Sequence, residues 1–106
     1  MPKYLIQANY VGEGIKGLLA EGGSSRRAVV DKLFKSLGGK VEAFYYALGD
    51  IDLYIIGDLP DNAAATALIL TATSTGTVTI KTTVLMTPED VDEAAKKTTS
   101  YRAPGR

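Results

Sequence analysis

The chain of 106 residues is 45% hydrophobic and 23% charged, which is the composition of an ordinary folded domain. This length allows a single domain, residues 1–106. So small a domain buries a modest apolar area, and pairing with further copies is an effective way to cover more. Twelve basic residues balance twelve acidic ones, so the basic excess typical of nucleic-acid-binding proteins is missing.

The chain contains no cysteine and no histidine. Disulfides, thiolate ligands and a cysteine nucleophile are therefore excluded, as are the commonest general base, zinc ligand and proximal haem ligand. We accordingly predict no metal site and no cofactor. The first residues lack the apolar core of a signal peptide, and no apolar run approaches the roughly 20 residues of a membrane span. We expect a cytoplasmic protein without membrane contacts.

Residues 3–10 alternate in polarity and predict a first strand. One face of this strand carries Tyr4, Ile6, Ala8 and Tyr10, and the other carries Leu5, Gln7 and Asn9. A short helical stretch with several glycines follows, and Ser24 or Ser25 is placed to cap a second helix. The apolar stripe of that second helix comprises Val29, Val30, Leu33, Phe34 and Leu37.

The second half of the chain predicts a strand pair, a helix, a fourth strand and a closing helix. In order these are residues 40–48, 51–57, 60–75, 77–86 and 87–97. The Gly49-Asp50 step between the paired strands is a hairpin signal. Thr87 followed by Pro88 is typical of a helix start, with a side-chain cap and proline at the first helical position.

This order of elements is the ferredoxin-like βαββαβ pattern of an α+β fold, with an extra short C-terminal helix. Both main helices then cover one face of a four-stranded antiparallel sheet. The opposite face is left open and is mixed in character, with Gln7, Asn9, Thr79 and Lys81 beside Leu5 and Leu85. Such a face is too apolar for water and too polar for a dry core, which predicts that a second copy covers it.

The sequence resembles the GYD-domain family over residues 37–45 and the following Gly49-Asp50-Ile51-Asp52. The family is named after a Gly-Tyr-Asp step that follows its second strand. In this chain the middle position of that step is changed and the step is slightly longer. The resemblance continues through 58–62, 81–89 and 101–105. It implies a dimeric α/β-barrel in which two ferredoxin-like sheets face each other, and it implies no particular reaction. Many barrels of this type bind small molecules or haem, or oxidise aromatic substrates. The haem enzymes among them typically use a histidine, which this chain lacks.

A literal G-x-G-x-x-G motif occupies residues 12–17, between the first strand and the first helix. In dinucleotide-binding folds these glycines permit a tight turn and a close approach to a pyrophosphate. Here a hairpin replaces the second βα unit, and the chain is too short for a doubly wound sheet. We therefore favour a structural role for the glycines, with nucleotide binding as the lesser alternative.

Four carboxylates, Glu42, Asp50, Asp52 and Asp58, lie on or beside the paired strands. Paired carboxylates can bind a hard cation or perform acid–base chemistry. A charge at the sheet edge, or an ion pair with Arg27 or Lys40, is the commoner role for such residues, and we favour that role here.

Tyrosines are the richest polar-aromatic resource of the chain, which has six of them. If Tyr45 or Tyr46 turns into the inter-subunit barrel, it would line a small amphipathic pocket. Filling the core or an interface is the commoner role, and we favour it for any single tyrosine. The candidate ligand pocket comprises Gln7, Asn9, Tyr45, Tyr46, Asp52, Tyr54 and Lys81. Residues 101–105 are either a strap over a partner subunit or a frayed terminus.

Two functional hypotheses follow. The first is a self-associating domain without enzymatic activity that binds a small ligand in the barrel between copies. The second is a cofactor-independent enzyme of the barrel superfamily, for which Lys81, Tyr45 and Asp52 are the first candidates for a base or an orienting group. In both hypotheses the partner is another copy of the chain, and the sequence leaves the catalytic residues and the ligand open.

Overall fold

The computed structural model describes all residues from Met1 to Arg106. Its elements in chain order are β1 (Lys3–Tyr10), α1 (Gly14–Glu21), α2 (Gly23–Ser36), β2 (Lys40–Tyr46), β3 (Leu53–Asp58), α3 (Asn62–Thr73), β4 (Val78–Leu85) and α4 (Pro88–Ala95). None of the helices is long and apolar enough to span a bilayer.

The four strands form one antiparallel sheet in the order β2-β3-β1-β4. The central strand β1 pairs with β3 from Lys3 opposite Asp58 to Ala8 opposite Leu53. On its other side β1 pairs with β4 along its whole length. This is the predicted ferredoxin-like arrangement, and the α+β fold class is confirmed.

The hydrophobic core lies between the helices and one face of the sheet, and the alternation of β1 determines which face. Tyr4, Ile6 and Ala8 are buried, as predicted, while Leu5 and Gln7 are half-buried on the opposite face. The remaining buried core side chains are Phe34, Phe44, Leu53, Ile55, Leu59, Ala65 and Leu68. The one polar atom of Tyr4 is satisfied, because its hydroxyl donates to Oδ1 of Asn62 at 2.8 Å.

The connection between β2 and β3 is longer than the predicted Gly49-Asp50 turn, because the strands stop at Tyr46 and resume at Leu53. Within this loop the amide of Ala47 donates to the carbonyl of Asp52 at 2.8 Å. The amide of Asp52 donates in turn to Oδ1 of Asn9 at 2.9 Å, and its carboxylate accepts from the amide of Tyr10 at 2.9 Å. Bonds to the end of β1 thus hold the residue just before β3 in place.

The predicted serine cap of α2 is wrong. Gly22 occupies the N-cap position with φ of 85°, and no side chain caps the helix. A left-handed glycine lets the chain leave α1 and enter α2 without an intervening loop, which moves the helix start to Gly23. The predicted start of the closing helix is confirmed, since Thr87 and Asp90 form a reciprocal capping box.

Candidate functional site

A cavity of about 550 Å³ lies between the helix-covered face of the sheet and helices α1, α2 and α3. Its lining is largely apolar. The strands contribute Ile6, Ala8, Leu53, Ile55, Val78 and Ile80, and the helices contribute Leu18, Val29, Val30, Leu33, Phe34, Leu68 and Ala72. The predicted apolar stripe of α2 therefore covers this space as well as the packed core.

Small residues on the helices leave this space open. Gly17 of α1 and Ala72 of α3 both line the cavity. A Cβ at Gly17 would meet no atom within 4 Å. The short helix α1 thus presents bare backbone where a larger side chain would fill the space between the layers.

Polar groups collect at one end of the cavity, where β1 ends and α2 begins. Tyr10, Glu21 and Arg26 line this end, and Nη1 of Arg26 lies 3.5 Å from Oε2 of Glu21. Burial raises the pKa of Tyr10 to about 12, and the neighbouring phenol of Tyr46 adds to the shift while Arg26 opposes it. Tyr10 therefore remains a neutral hydroxyl, able to donate or accept a hydrogen bond, throughout the neutral range.

The glycine motif at residues 12–17 borders the same cavity, and its glycines serve the local fold. Gly12 adopts φ of 55°, and a Cβ on Gly14 would overlap the carbonyl oxygen of Thr77. The amide of Gly14 donates to Val11 O at 2.9 Å and is not free for a phosphate. The favoured structural role of the motif accounts for these contacts.

The open face of the sheet carries five of the seven residues predicted for the ligand pocket. The strand register places Tyr45, Tyr54, Gln7 and Lys81 in one row across all four strands. Asn9 lies in the next row, opposite Thr79. We call the first four residues, Tyr45, Tyr54, Gln7 and Lys81, the tyrosine row. It is a surface feature in the single chain, where Tyr45 is 71% exposed and Tyr54 is 37% exposed.

Comparison with known protein families supports the resemblance given by the sequence motifs. The family model described as GYD domain matches residues 4–95, which include every residue of the cavity lining and the whole tyrosine row. The chain belongs to the GYD domain family. Comparison with curated proteins and with solved structures gave no match.

Besides Asn9, two further residues predicted for the pocket of this GYD domain lie outside the tyrosine row, namely Tyr46 and Asp52. Tyr46 points to the helix-covered side, because it follows Tyr45 in a strand and successive side chains alternate. Its hydroxyl donates to Gly23 O at 3.0 Å, and its ring lies edge-on to Phe44 at a centroid distance of 5.4 Å. Asp52 lies before β3 and uses its carboxylate to accept the amide of Tyr10.

None of the seven predicted pocket residues lines the cavity of the GYD domain. Sequence reasoning missed this cavity for two reasons. The polar residues at its end come from three separate elements, and its apolar lining residues look like those of any hydrophobic core. One signal was available: the glycine motif puts two residues without side chains on a helix that faces the sheet.

No group of three or more potential metal ligands comes together in the GYD domain. Glu42 and Asp58 both pair with Lys3, at 2.7 and 2.9 Å. Hydrogen bonds to these two carboxylates raise the pKa of Lys3. The expected ion pairing is therefore present, but its partner is Lys3; Arg27 instead lies 3.9 Å from Asp31 and over the ring of Phe44.

Proposed function

We propose that this GYD domain is a self-associating domain that binds a small, mainly apolar molecule in the cavity beneath its helices. The cavity itself carries this proposal. Its volume of about 550 Å³ falls within the range of roughly 300–1,000 Å³ usual for ligand sites, and apolar walls with a few convergent polar groups are typical of such sites.

The polar end of the cavity sets the chemistry of the ligand. Arg26 is 31% exposed at its side chain and is paired with Glu21 at the long distance of 3.5 Å, so one of its donors is available to an acceptor. The neutral hydroxyl of Tyr10 lies at the same end. An apolar or aromatic body with one hydroxyl, carbonyl or acid group therefore fits the arrangement.

The open face of the sheet supports the self-association part of the proposal. Next to the tyrosine row lies a second row in which Ala43, Ile56, Leu5 and Thr83 stand side by side. Apolar and tyrosine side chains arranged in this way are typical of protein interfaces. A second copy placed over this face would also enclose the tyrosine row, so a pocket between copies stays a prediction.

The enzymatic alternative draws less support from the geometry. Lys81 and Tyr45 are exposed on the open face, and Asp52 is engaged with backbone amides. Acid–base catalysis by these residues would require a second copy to exclude water from them. We therefore base the proposal on binding alone.

Native mass spectrometry and a fluorescent probe test the binding site. We expect the protein purified without denaturation to carry a small molecule, and the ligand-free protein to bind the apolar dye 1-anilinonaphthalene-8-sulfonate. Gly17→Phe places a ring in the open space of the cavity and should weaken dye binding at least about tenfold, or about 1.4 kcal/mol.

Ala20→Phe is the matched control, because Ala20 is exposed on the same helix and does not line the cavity. Both variants should unfold cooperatively in urea, which shows that a loss of binding reflects the filled cavity and not a disrupted fold. Equal dye binding by the two variants would show that the cavity is not the binding site.

A further inference from the structure

Residues 86–106, which we call the C-terminal arm, stand apart from the rest of the molecule. Every residue from 86 to 102 is exposed, and all hydrogen bonds made by the arm remain within it. The Cα radius of gyration is 17.2 Å and the longest axis is 58 Å. A compact chain of this length would have a radius of gyration of about 13 Å. The arm therefore projects from the folded body.

The projecting arm nevertheless contains a well-specified helix. Thr87 Oγ1 accepts from the amide of Asp90 at 3.1 Å, and Asp90 Oδ2 accepts from the amide of Thr87 at 3.0 Å. Helices much shorter than about 12 residues are marginal in water without tertiary packing. Helix α4 thus has a strong start signal but no surface of its own chain to pack against.

Charge and apolar surface both match α4 to α2. Helix α4 carries four acidic residues, Glu89, Asp90, Asp92 and Glu93, and no basic residue. Helix α2 carries four basic residues, Arg26, Arg27, Lys32 and Lys35, against the single Asp31. Each helix also exposes a valine among these charges, since Val91 is 53% exposed and Val29 is 45% exposed.

The sheet order determines which copy of α2 the arm can meet. The arm begins at the end of β4, which is one edge strand of the sheet, whereas α2 packs over β2, which is the other edge strand. The α2 of the same chain therefore lies across the full width of the sheet, and α4 makes no hydrogen bond or ion pair with it. The α2 of another copy is not held at this distance from the arm.

We propose that the C-terminal arm docks on a second copy of the chain, where α4 packs Val91 against Val29 of α2 and its acidic side chains against the basic ones. This contact adds an interface separate from the open sheet face, on a helix that also lines the ligand cavity. Reciprocal exchange of two arms gives a closed two-fold contact, in which each copy supplies both the arm and the α2 surface.

Intermolecular cross-linking tests the contact directly, because the chain has no native cysteine. One copy carries Val91→Cys and the other carries Val29→Cys, and the two are mixed under a mild oxidant. We expect a disulfide-linked heterodimer, identified by its mass, to form at least tenfold faster than with Leu70→Cys in place of Val29→Cys. Leu70 is a matched control, since it is 63% exposed on α3.

A charge exchange supplies the second readout. Asp92→Lys with Glu93→Lys on the Val91→Cys copy should slow cross-linking at least tenfold, and Lys32→Glu with Lys35→Glu on the Val29→Cys copy should restore it. Equal rates with Leu70→Cys, no heterodimer, or no response to charge would each overturn the proposed docking. Dye binding is measured separately, with Gly17→Phe and Ala20→Phe in chains that keep Val29, so the two proposals fail separately.

Discussion

Gly14 and Gly17 belong to one glycine-rich run, yet only Gly14 has surroundings that require a glycine. The backbone of Gly14 approaches the carbonyl oxygen of Thr77 so closely that any Cβ would overlap it. This contact holds the start of α1 against the start of β4, together with the bond from the amide of Val11 to Thr77 O at 2.9 Å. Gly17, in contrast, faces open space in the middle of a helix.

Substitution of the two glycines by alanine should therefore have opposite effects. Gly14→Ala should lower the free energy of unfolding by about 1–3 kcal/mol, because backbone must move to admit the methyl group. Gly17→Ala should raise it by about 0.5–1 kcal/mol through higher helix propensity. Urea denaturation of both variants measures the difference. If both substitutions had equal effects, the proposed contact of Gly14 with Thr77 would be wrong.

The raised pKa of Tyr10 predicts a specific loss of stability at alkaline pH. The folded value of about 12 exceeds the ordinary value of about 10, so the folded chain holds the phenol proton more tightly than the unfolded chain does. The resulting contribution to stability is fully present below pH 10 and is lost as the pH rises toward 12. We expect Tyr10→Phe to show a shallower decline in the free energy of unfolding over this range than the unsubstituted chain.

Tyr101→Phe is the control for this pH dependence, because Tyr101 is 79% exposed in the C-terminal arm. Its pH profile should coincide with that of the unsubstituted chain. Coincident profiles for Tyr10→Phe and the unsubstituted chain would contradict the burial of the Tyr10 hydroxyl at the end of the cavity.

At the scale of elements, α3 and α4 have similar caps but different relations to the body. Asp61 accepts from the amide of Ala64 at 2.8 Å and begins a helix that buries Ala65 and Leu68 in the core. Thr87 caps α4, which buries no residue. The same local interaction therefore contributes to global stability in one helix and to local order in the other.

Removal of the two caps should separate these contributions. Asp61→Ala should lower the global free energy of unfolding by about 1 kcal/mol, the typical effect of losing an N-cap. At concentrations low enough to separate the copies, Thr87→Ala should leave that free energy unchanged and should speed amide hydrogen exchange within α4 alone. An equal global effect of both substitutions would show that α4 packs on its own body.

At the scale of the whole molecule, the sheet has one face covered by helices and one face open. Ile56 lies near the centre of the open face, with Leu5 beside it on β1 and Ala43 beside it on β2. A charge at this position would be left without a partner if a second copy covered the face.

Ile56→Lys should therefore weaken self-association at least about tenfold, which corresponds to about 1.4 kcal/mol. Leu70→Lys is the matched control, because Leu70 is exposed on α3 at the opposite side of the molecule. Sedimentation velocity at several concentrations measures both variants. A monomeric unsubstituted chain at micromolar concentration, or equal association of both variants, would contradict an interface on the open face.

Periodicity and turn chemistry allowed much of the fold to be predicted. The alternation of β1 identified the buried face through Tyr4, Ile6 and Ala8, and the order of elements indicated the sheet topology. The side-chain cap at Thr87 was also evident from sequence. These features depend on backbone geometry over a few residues, so the residues that determine them are neighbours in the chain.

The cavity was not predicted for the same reason, since its lining comes from elements that are distant in the chain. Alternation settled only which of the predicted pocket residues share a face. Five of the predicted pocket residues share the open face, because alternation along single strands places them there. Alternation also excludes Tyr46 from the face of Tyr45, and the loop before β3 engages Asp52 with the backbone of β1.

The sequence by itself determined the strands, the main helices, the covered face of the sheet and the family to which the chain belongs. Only the tertiary structure decided where space is left between the layers and which segment projects from them. The cavity depends on the separation of β1, α1, α2 and α3, and the exposure of the C-terminal arm depends on the direction in which β4 ends. Such distances between elements follow from the packing of the whole chain and leave no periodic pattern in the sequence.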